Sequence, residues 1–296
     1  MASKRHRGVF KPDHPAPYEL SRSKIETFIS CKACFWLEKL HGVKPPEIPS
    51  FTLNTTTDIL LKRDADAVRG RASLPLWEAN GLGHLIPFEH EHLDNWTNSM
   101  AFGQNETFFN FDHPESNIRF GGGLDDVFLN TETGQLHIVD YKSTAQGTRS
   151  PDKYEKKPVS LDDPWKDAYK RQMDMYVWIM GKKGFEVSNT GYFVYVDGQH
   201  KDIEGMLIDE SDASKAWMLF DASIIPYEAD TKWVEPTLCE IKDFLLSQKS
   251  CPAHTPKGEN FSGCDLGRYF TAALQVCNVQ TAALDSLVER ERDQDD

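Results

Sequence analysis

Residues 121–144 read GGGLDDVFLNTETGQLHIVDYKST, and this stretch decides how the chain is interpreted. Two apolar, β-branched runs flank the turn-rich residues 130–134, a pattern typical of two strands joined by a turn. Asp125 lies on the first strand and Asp140 near the end of the second, so a hairpin would bring their carboxylates together. Lys142 shares a strand face with Asp140, because residues two apart in a strand point the same way. The stretch predicts two acids and a lysine at one strand end.

Such a set of groups is suited to a divalent metal. Carboxylates on a rigid sheet favour Mg²⁺ or Mn²⁺, which is held by one or two carboxylates together with waters and phosphate oxygens. A lysine beside the ion suits the hydrolysis of a phosphodiester. The alternative is solvated surface charge, since Asp-x-Lys occurs about once by chance in a chain of ordinary composition. The apolar run that leads into Asp140 favours the metal site.

Three short motifs follow one another along the chain. They are GGLD at 122–125, IVDYKS at 138–143 and QMDMY at 172–176. In this order they resemble the RecB-type branch of the PD-(D/E)XK nucleases, which includes CRISPR-associated exonucleases that carry an iron–sulfur cluster. The resemblance covers residues 21–269. It implies an α/β fold with a three-layer, restriction-endonuclease-like core, and DNA as the substrate rather than RNA.

The resemblance also implies roles for residues around the two aspartates. The backbone carbonyl of Tyr141 would join them as a metal ligand. Gln172 and Tyr176 share a helix face because they are four residues apart, and in the family this pair contacts substrate or the catalytic lysine. For Tyr176 a place in the apolar core is an equal alternative. Ser143 and Thr144 are further candidates for binding phosphate or substrate.

The third metal ligand departs from the family pattern. RecB-type proteins usually carry a histidine on an early helix, other members of the superfamily carry a glutamate, and residues 54–66 contain neither. Asp58 lies at about the expected place, and we take it as the candidate. An acid near a helix N-terminus is also stabilised by the helix dipole without any metal. Two carboxylates alone can still hold Mg²⁺.

The six cysteines raise the question of a second metal centre. Cys31 and Cys34 lie three apart on one helix, and Cys251 and Cys264 lie in a loop-rich region near the other end. Four thiolates can hold an iron–sulfur cluster or zinc. In the resembling exonucleases one early cysteine joins three late ones, and Gly267 stands here where a partner cysteine is expected. The alternative is that the cysteines are small buried apolar residues.

Composition sets limits on partners and location. The net charge of −13 weighs against tight binding to nucleic acid, although residues 153–157 and 166–171 are rich in lysine and arginine. No run of about 18 apolar residues predicts a membrane span. The basic start is followed by polar, proline-rich sequence, so no signal peptide is expected. We therefore expect a cytoplasmic protein without a membrane partner; the sequence does not indicate an oligomeric state.

The order of elements predicts one domain. An extended arm at 1–20 precedes a single nuclease-like domain at 21–280 and an acidic tail at 281–296. Helices are predicted at 23–40, 56–69, 164–182, 211–220 and 234–248, and strands at 85–92, 106–111, 118–129, 135–142, 190–196 and 202–208. Helices on either side of a run of strands indicate three layers around a mixed β-sheet.

The function predicted from these features is a metal-dependent nuclease that acts on DNA. A second hypothesis is a catalytically impaired nuclease fold that serves as a nucleic-acid-binding or scaffold module, and the missing early histidine supports it. Intact Asp125, Asp140 and Lys142 favour the enzyme. A third hypothesis is an enzyme that uses the same site on another phosphate-bearing substrate.

Overall fold

The computed structural model describes most of the chain. It covers residues 5–46, 51–145, 158–200, 203–207, 212–255, 264, 266, 267, 269, 273 and 275–277. Within them the strands are β1 (Tyr18–Ser21), β2 (Leu85–Pro87), β3 (Asn110–His113), β4 (Ile118–Gly121), β5 (Asp126–Asn130), β6 (Leu136–Thr144), β7 (Thr190–Gly198) and β8 (Phe220–Glu228). The helices are α1 (Arg22–Ser30), α2 (Lys32–His41), α3 (Thr52–Val68), α4 (Pro75–Ala79), α5 (Leu93–Thr97), α6 (Asp167–Lys182) and α7 (Val234–Ser247), and a single 3₁₀ turn, Pro164–Lys166, precedes α6.

The larger sheet is mixed, with the strand order β2-β5-β6-β7-β8. β6 and β7 pair in parallel, whereas the other neighbours pair antiparallel. Parallel neighbours need a crossover connection, and the chain between β6 and β7 contains α6. This arrangement places α6 beside β6, the strand that carries Asp140 and Lys142.

Both faces of the larger sheet are covered. On one face Ile138 and Phe193 pack into a core shared with α1, α6 and α7. On the other face Val139 and Val194 pack with Trp77 of α4. Neighbouring residues on a strand reach different cores because side chains alternate across a strand. Helices on both sides of a mixed sheet confirm the predicted three-layer α/β fold.

A second sheet has the strand order β1-β4-β3, and the chain passes from its strand β4 into β5 of the larger sheet. The passage from β4 to β5 runs through three glycines. A Cβ on Gly121 would lie 2.6 Å from the Phe109 carbonyl oxygen, and one on Gly123 would lie 2.8 Å from the Ser99 backbone nitrogen. Only glycine allows backbones to approach so closely. The single strand predicted at 118–129 is therefore wrong, because this region forms two strands in different sheets.

Two predicted helices have different bounds in the structure. The helix expected at 23–40 is broken at Cys31, whose backbone is extended (φ −159°, ψ 102°), into α1 and α2. The Cys31 N–H donates to the Thr27 carbonyl over 2.9 Å, and its own carbonyl accepts from the Phe35 N–H over 3.1 Å. One residue thus ends the first helix and begins the second. α3 begins at Thr52, earlier than predicted.

The predictions at 202–208 and 211–220 are wrong where the structure describes these residues. Residues 203–207 form no strand and residues 212–219 form no helix. Instead β8 begins at Phe220 and pairs antiparallel with β7 along its whole length. The Gln199 N–H donates to the Leu219 carbonyl over 2.9 Å, which extends this pairing. A long open strand edge outweighs the helical propensity of the segment, because unpaired backbone groups need partners.

Other boundaries shift by smaller amounts. The strand expected at 85–92 ends at Pro87, and the strand expected at 106–111 begins at Asn110. The strands at 135–142 and 190–196 and the helices at 164–182 and 234–248 are confirmed. Residues 146–157, which include the predicted basic stretch at 153–157, and the predicted tail at 281–296 lie outside the described residues. In the part of the chain that is described, no helix has the length and apolar character needed to cross a membrane.

Candidate active site

The two candidate acids face each other across the β5–β6 hairpin. Asp126 pairs with Val139 in the hairpin register, so Asp125, one residue before β5, lies opposite Asp140. The Tyr141 backbone N–H donates to Asp125 Oδ2 over 3.0 Å. Directly opposite residues of an antiparallel pair present their side chains on the same face. The hairpin thus places both carboxylates on the side that α6 covers.

Both oxygens of the Asp140 carboxylate have partners. Gln172 Nε2, on α6, donates to Oδ1 over 2.7 Å. Lys142 Nζ forms an ion pair with Oδ2 and lies 3.5 Å from the Tyr141 carbonyl oxygen. The same ammonium group lies over the ring of Tyr169, 4.8 Å from its centroid. Lys142 is therefore held between an acid and an aromatic face, which attracts a cation.

Burial controls the charge of this acid–lysine pair. Burial raises the pKa of Asp140 to about 6; the negative charge of Asp125 adds to the shift and Lys142 opposes it. Burial alone would lower the pKa of Lys142, but the charges of Asp140 and Asp125 outweigh it and raise that pKa. Each charge of the pair therefore favours the ionised form of the other group.

Helix α3 brings a third acid and a second lysine to the same place. The hydroxyls of Thr57 and Ser143 are hydrogen-bonded, which ties α3 to the end of β6. Lys62 Nζ donates to Asp125 Oδ1 over 3.3 Å. Burial and the charge of Asp125 both raise the pKa of Asp58. Asp58 lies in the second turn of α3, beyond the first turn where the helix dipole acts, so the dipole does not explain its presence.

Tyr176 belongs to the core and directs its polar end at the site. Its ring meets Phe109 edge-on, with 5.4 Å between centroids, and a Cβ on Gly122 would lie 3.1 Å from its hydroxyl oxygen. The positive charge of Arg22, at the start of α1, acts on this hydroxyl. The positive charge of Arg22 also acts on Asp140, where it opposes the rise in pKa that burial causes. The structure therefore confirms the place of Tyr176 in the core, and its role at the site stays a prediction.

Three residues of the site were not among the sequence candidates. Arg22 lies far from the motifs along the chain, and no spacing connects it to them. Lys62 lies four residues after Asp58, a spacing that places both on one helix face, and this signal was overlooked. Tyr169 precedes Gln172 by three residues on the same face, but it was counted with the apolar side of the helix.

Thr144 and Asp126 belong to the sequence stretch 121–144 but lie outside the group formed by Asp125, Asp140 and Lys142. Thr144 ends β6, is half-buried and lies beside Asp197 of β7 in the strand register. Asp126 points away from Asp125. It accepts two hydrogen bonds of 2.9 Å from Arg69 and one of 3.1 Å from the Tyr141 hydroxyl. Asp126 is thus a structural acid, and Asp125 alone of the pair faces Asp140.

A family model described as the PD-(D/E)XK nuclease superfamily matches residues 19–224, more than half of the chain. The chain belongs to the PD-(D/E)XK nuclease superfamily. No curated protein matches it. The matched region contains all of the acids, lysines and aromatic residues described above. Members of this superfamily are generally nucleases that use divalent metals.

The basic residues of the 3₁₀ turn and of the first turns of α6 are engaged in ion pairs. The pairs are Lys166–Asp163 at 3.1 Å, Lys170–Asp167 at 3.1 Å and Arg171–Glu26 at 2.7 Å. Lys166 is in addition 1% exposed. The lysines and arginine at 166–171 therefore lie beside carboxylates and are less available to phosphate than the sequence indicated.

A second group of possible metal ligands lies at the junction of α1 and α2. Cys31, Cys34, Cys264 and His254 each present a ligand atom, and these atoms all lie within 4.8 Å of one another. The sequence placed Cys251 in this set, but Cys251 is exposed and lies outside the group. His254 takes the fourth place. His254 follows Cys251 by three residues, and this spacing is the signal in the sequence that could have identified it.

Proposed function

We propose that this protein is a metal-dependent nuclease of the RecB-type branch and that it hydrolyses phosphodiester bonds in DNA. One observation carries the proposal: Asp125 and Asp140 face each other across a hairpin, and Lys142 is paired with Asp140 in the same place. Two acids and a lysine in this arrangement, within a chain of the nuclease superfamily, are the groups that phosphodiester hydrolysis requires.

The metal ligands in this proposal are Asp125, Asp140 and Asp58, with the backbone carbonyl of Tyr141. Hard oxygen donors of this kind fit Mg²⁺ or Mn²⁺. Such an ion, when bound, lowers the pKa of a coordinated water and stabilises charge on the scissile phosphate. Gln172 fixes the orientation of Asp140 through its 2.7 Å hydrogen bond, as outer partners of metal ligands do.

The cationic side chains then act on the substrate. Lys142, held by Asp140 and by the ring of Tyr169, positions the attacking water and neutralises charge that develops on the phosphate. Arg22 and Lys62 are cations at the edge of the same acids and are suited to the phosphates on either side of the scissile bond.

The remaining polar groups around the site complete the substrate surface. The candidates are Ser143, Thr144 and Tyr176. DNA is favoured over RNA by the resemblance to RecB-type proteins. We place the enzyme in the cytoplasm, where its six cysteines would stay reduced.

The test is cleavage of end-labelled linear DNA, single- and double-stranded, with a matched RNA. Each is incubated with Mg²⁺, Mn²⁺ or EDTA and with wild type, Lys142→Ala or Lys215→Ala. Lys215 is an exposed lysine that pairs with Asp212, so its loss is the matched control. We expect metal-dependent cutting of DNA by wild type and by Lys215→Ala, and none by Lys142→Ala.

Other outcomes would change the assignment. Folded wild type that binds DNA without cutting it would support the nucleic-acid-binding or scaffold module. If only RNA is cut, the proposed substrate would be wrong, but the proposed active site would still stand. Neither cutting nor binding would favour a different phosphate-bearing substrate, and equal cutting by all three proteins would indicate a contaminating nuclease.

A further inference from the structure

The second ligand group joins parts of the chain that are far apart in sequence. Cys31 and Cys34 lie at the α1–α2 junction, whereas His254 and Cys264 follow α7. The Cys264 N–H donates to the Thr255 carbonyl over 2.9 Å, which holds Cys264 close to the residue that follows His254. The group is set apart from the nuclease acids by chemistry, since it offers three sulfurs and one imidazole.

The spacing of the four ligand atoms fits a single metal ion. Cys34 Sγ lies 3.2 Å from Cys264 Sγ, and His254 Nδ1 lies 3.5 Å from Cys31 Sγ and 3.7 Å from Cys34 Sγ. A tetrahedral zinc with bonds of about 2.3 Å to sulfur and about 2.0 Å to nitrogen holds its ligands roughly 3.5–3.8 Å apart. A cluster of several iron atoms would keep the ligands farther apart and would take a fourth thiolate.

We propose that Cys31, Cys34, His254 and Cys264 bind one structural zinc ion. Three cysteines and one histidine are a known structural zinc set, in which all four tetrahedral positions are filled by protein. Cys31 and Cys264 are buried and pack with Ala33, which leaves the centre little access to solvent. A closed coordination sphere in such surroundings serves folding and not catalysis.

Gly267 explains why the fourth ligand is a histidine. A Cβ at position 267 would lie 2.8 Å from the Cβ of His254 and 3.4 Å from the Cβ of Cys264. His254 therefore occupies the space that a side chain at 267 would need. A side chain at 267 and the imidazole at 254 would therefore compete for the same space, and the imidazole that is present suits zinc.

The zinc would also support the nuclease site from outside it. It holds the C-terminal end of α1, the helix whose first residue is Arg22. Further along α1, Glu26 forms an ion pair with Arg171 of α6. Zinc at one end and this ion pair in the middle would fix α1 against α6, and so keep Arg22 beside Tyr176.

The test is metal analysis of the full-length chain, purified without a metal-affinity tag and grown with zinc and iron both supplied. We expect one zinc and no iron per wild-type chain. Replacement of zinc by Co²⁺ should give the visible absorption of tetrahedral, thiolate-bound cobalt. Cys264→Ser and His254→Ala should lose the zinc, whereas Cys251→Ser and Cys277→Ser, which change exposed cysteines outside the group, should keep it.

Gly267→Ala supplies a variant that leaves all four ligands in place. Its added methyl group should displace His254 and speed the release of zinc to a chelator by tenfold or more. Stoichiometric iron with charge-transfer absorption, a disulfide between Cys34 and Cys264 in protein kept under reducing conditions, or wild type without zinc would each overturn the proposal. So would loss of zinc from Cys251→Ser with full retention by His254→Ala.

Discussion

Asp125 and Asp126 are neighbours in the chain with opposite roles, and single substitutions should separate them. Asp125→Asn removes a charge that faces Asp140, so we expect cleavage to fall by at least about 10²-fold with an unchanged melting temperature. Asp126→Asn breaks the buried ion pair with Arg69, so we expect a loss of about 3 kcal/mol in the free energy of unfolding. Chemical denaturation and cleavage assays on both variants measure the two effects.

The opposite pattern would reverse the roles of the two acids. If Asp126→Asn stayed stable and inactive while Asp125→Asn kept its activity, the site would lie on the other face of β5. The sequence indicated Asp125 through the glycines before it. It could not show which of two adjacent acids faces Asp140, because that depends on the hairpin register.

Gln172 is expected to act through Asp140 and not on the substrate directly. Its amide donates to Asp140 Oδ1, and removal of such an outer partner typically costs 10–100-fold in metal affinity or activity. For Gln172→Ala we expect a higher concentration of Mn²⁺ at half-maximal cleavage, with the rate largely restored at saturating Mn²⁺. A titration of Mn²⁺ against initial rate measures this. A lower rate at every Mn²⁺ concentration, without a shift in the titration, would instead make Gln172 a substrate contact.

At the scale of elements, the glycine passage between β4 and β5 positions Asp125. For Gly123→Ala we expect a loss of about 1–3 kcal/mol in stability, because the new Cβ would meet the backbone of Ser99. Gly83→Ala is the matched control: its Cβ would lie 3.5 Å from the nearest atom, an ordinary contact, so we expect a change within about 0.5 kcal/mol. Urea denaturation of both variants measures the difference. If the two variants were equally stable, the backbone between β4 and β5 would be able to shift and make room for the added Cβ.

Elements that carry a strong local pattern were predictable, and those set by distant partners were not. The β5–β6 hairpin, α6 and α7 followed from alternating or helical spacing of apolar residues. The break at Cys31 and the change of sheet after Gly121 depend on contacts that no local window contains. The segment at 211–220 has helix-forming residues, yet its end pairs with β7 because that strand needs a partner.

At the scale of the whole molecule, the excess of acid is the feature that most limits nucleic-acid binding. The net charge is −13. The lysines and arginine at 166–171 are bound to carboxylates. Arg22, Lys62 and Lys142 remain as the cations that the described residues bring to the nuclease acids. Affinity for DNA should then come from a few contacts at the site and should be modest.

This limit can be measured as the salt dependence of DNA binding. Each phosphate neutralised contributes about −0.9 to the slope of log affinity against log salt for duplex DNA, so three contacts predict a slope of about −3. Wild type in a buffer without divalent ions should bind a labelled duplex weakly, with this slope across a KCl series. Lys62→Ala should reduce the slope by about one, because Lys62 lies beside Asp125 of the site. Lys170→Ala, which removes a lysine that pairs with Asp167 outside the site, should leave the slope unchanged. A slope near −8 that Lys62→Ala does not alter would mean that DNA binds chiefly to a basic surface away from Asp125 and Asp140.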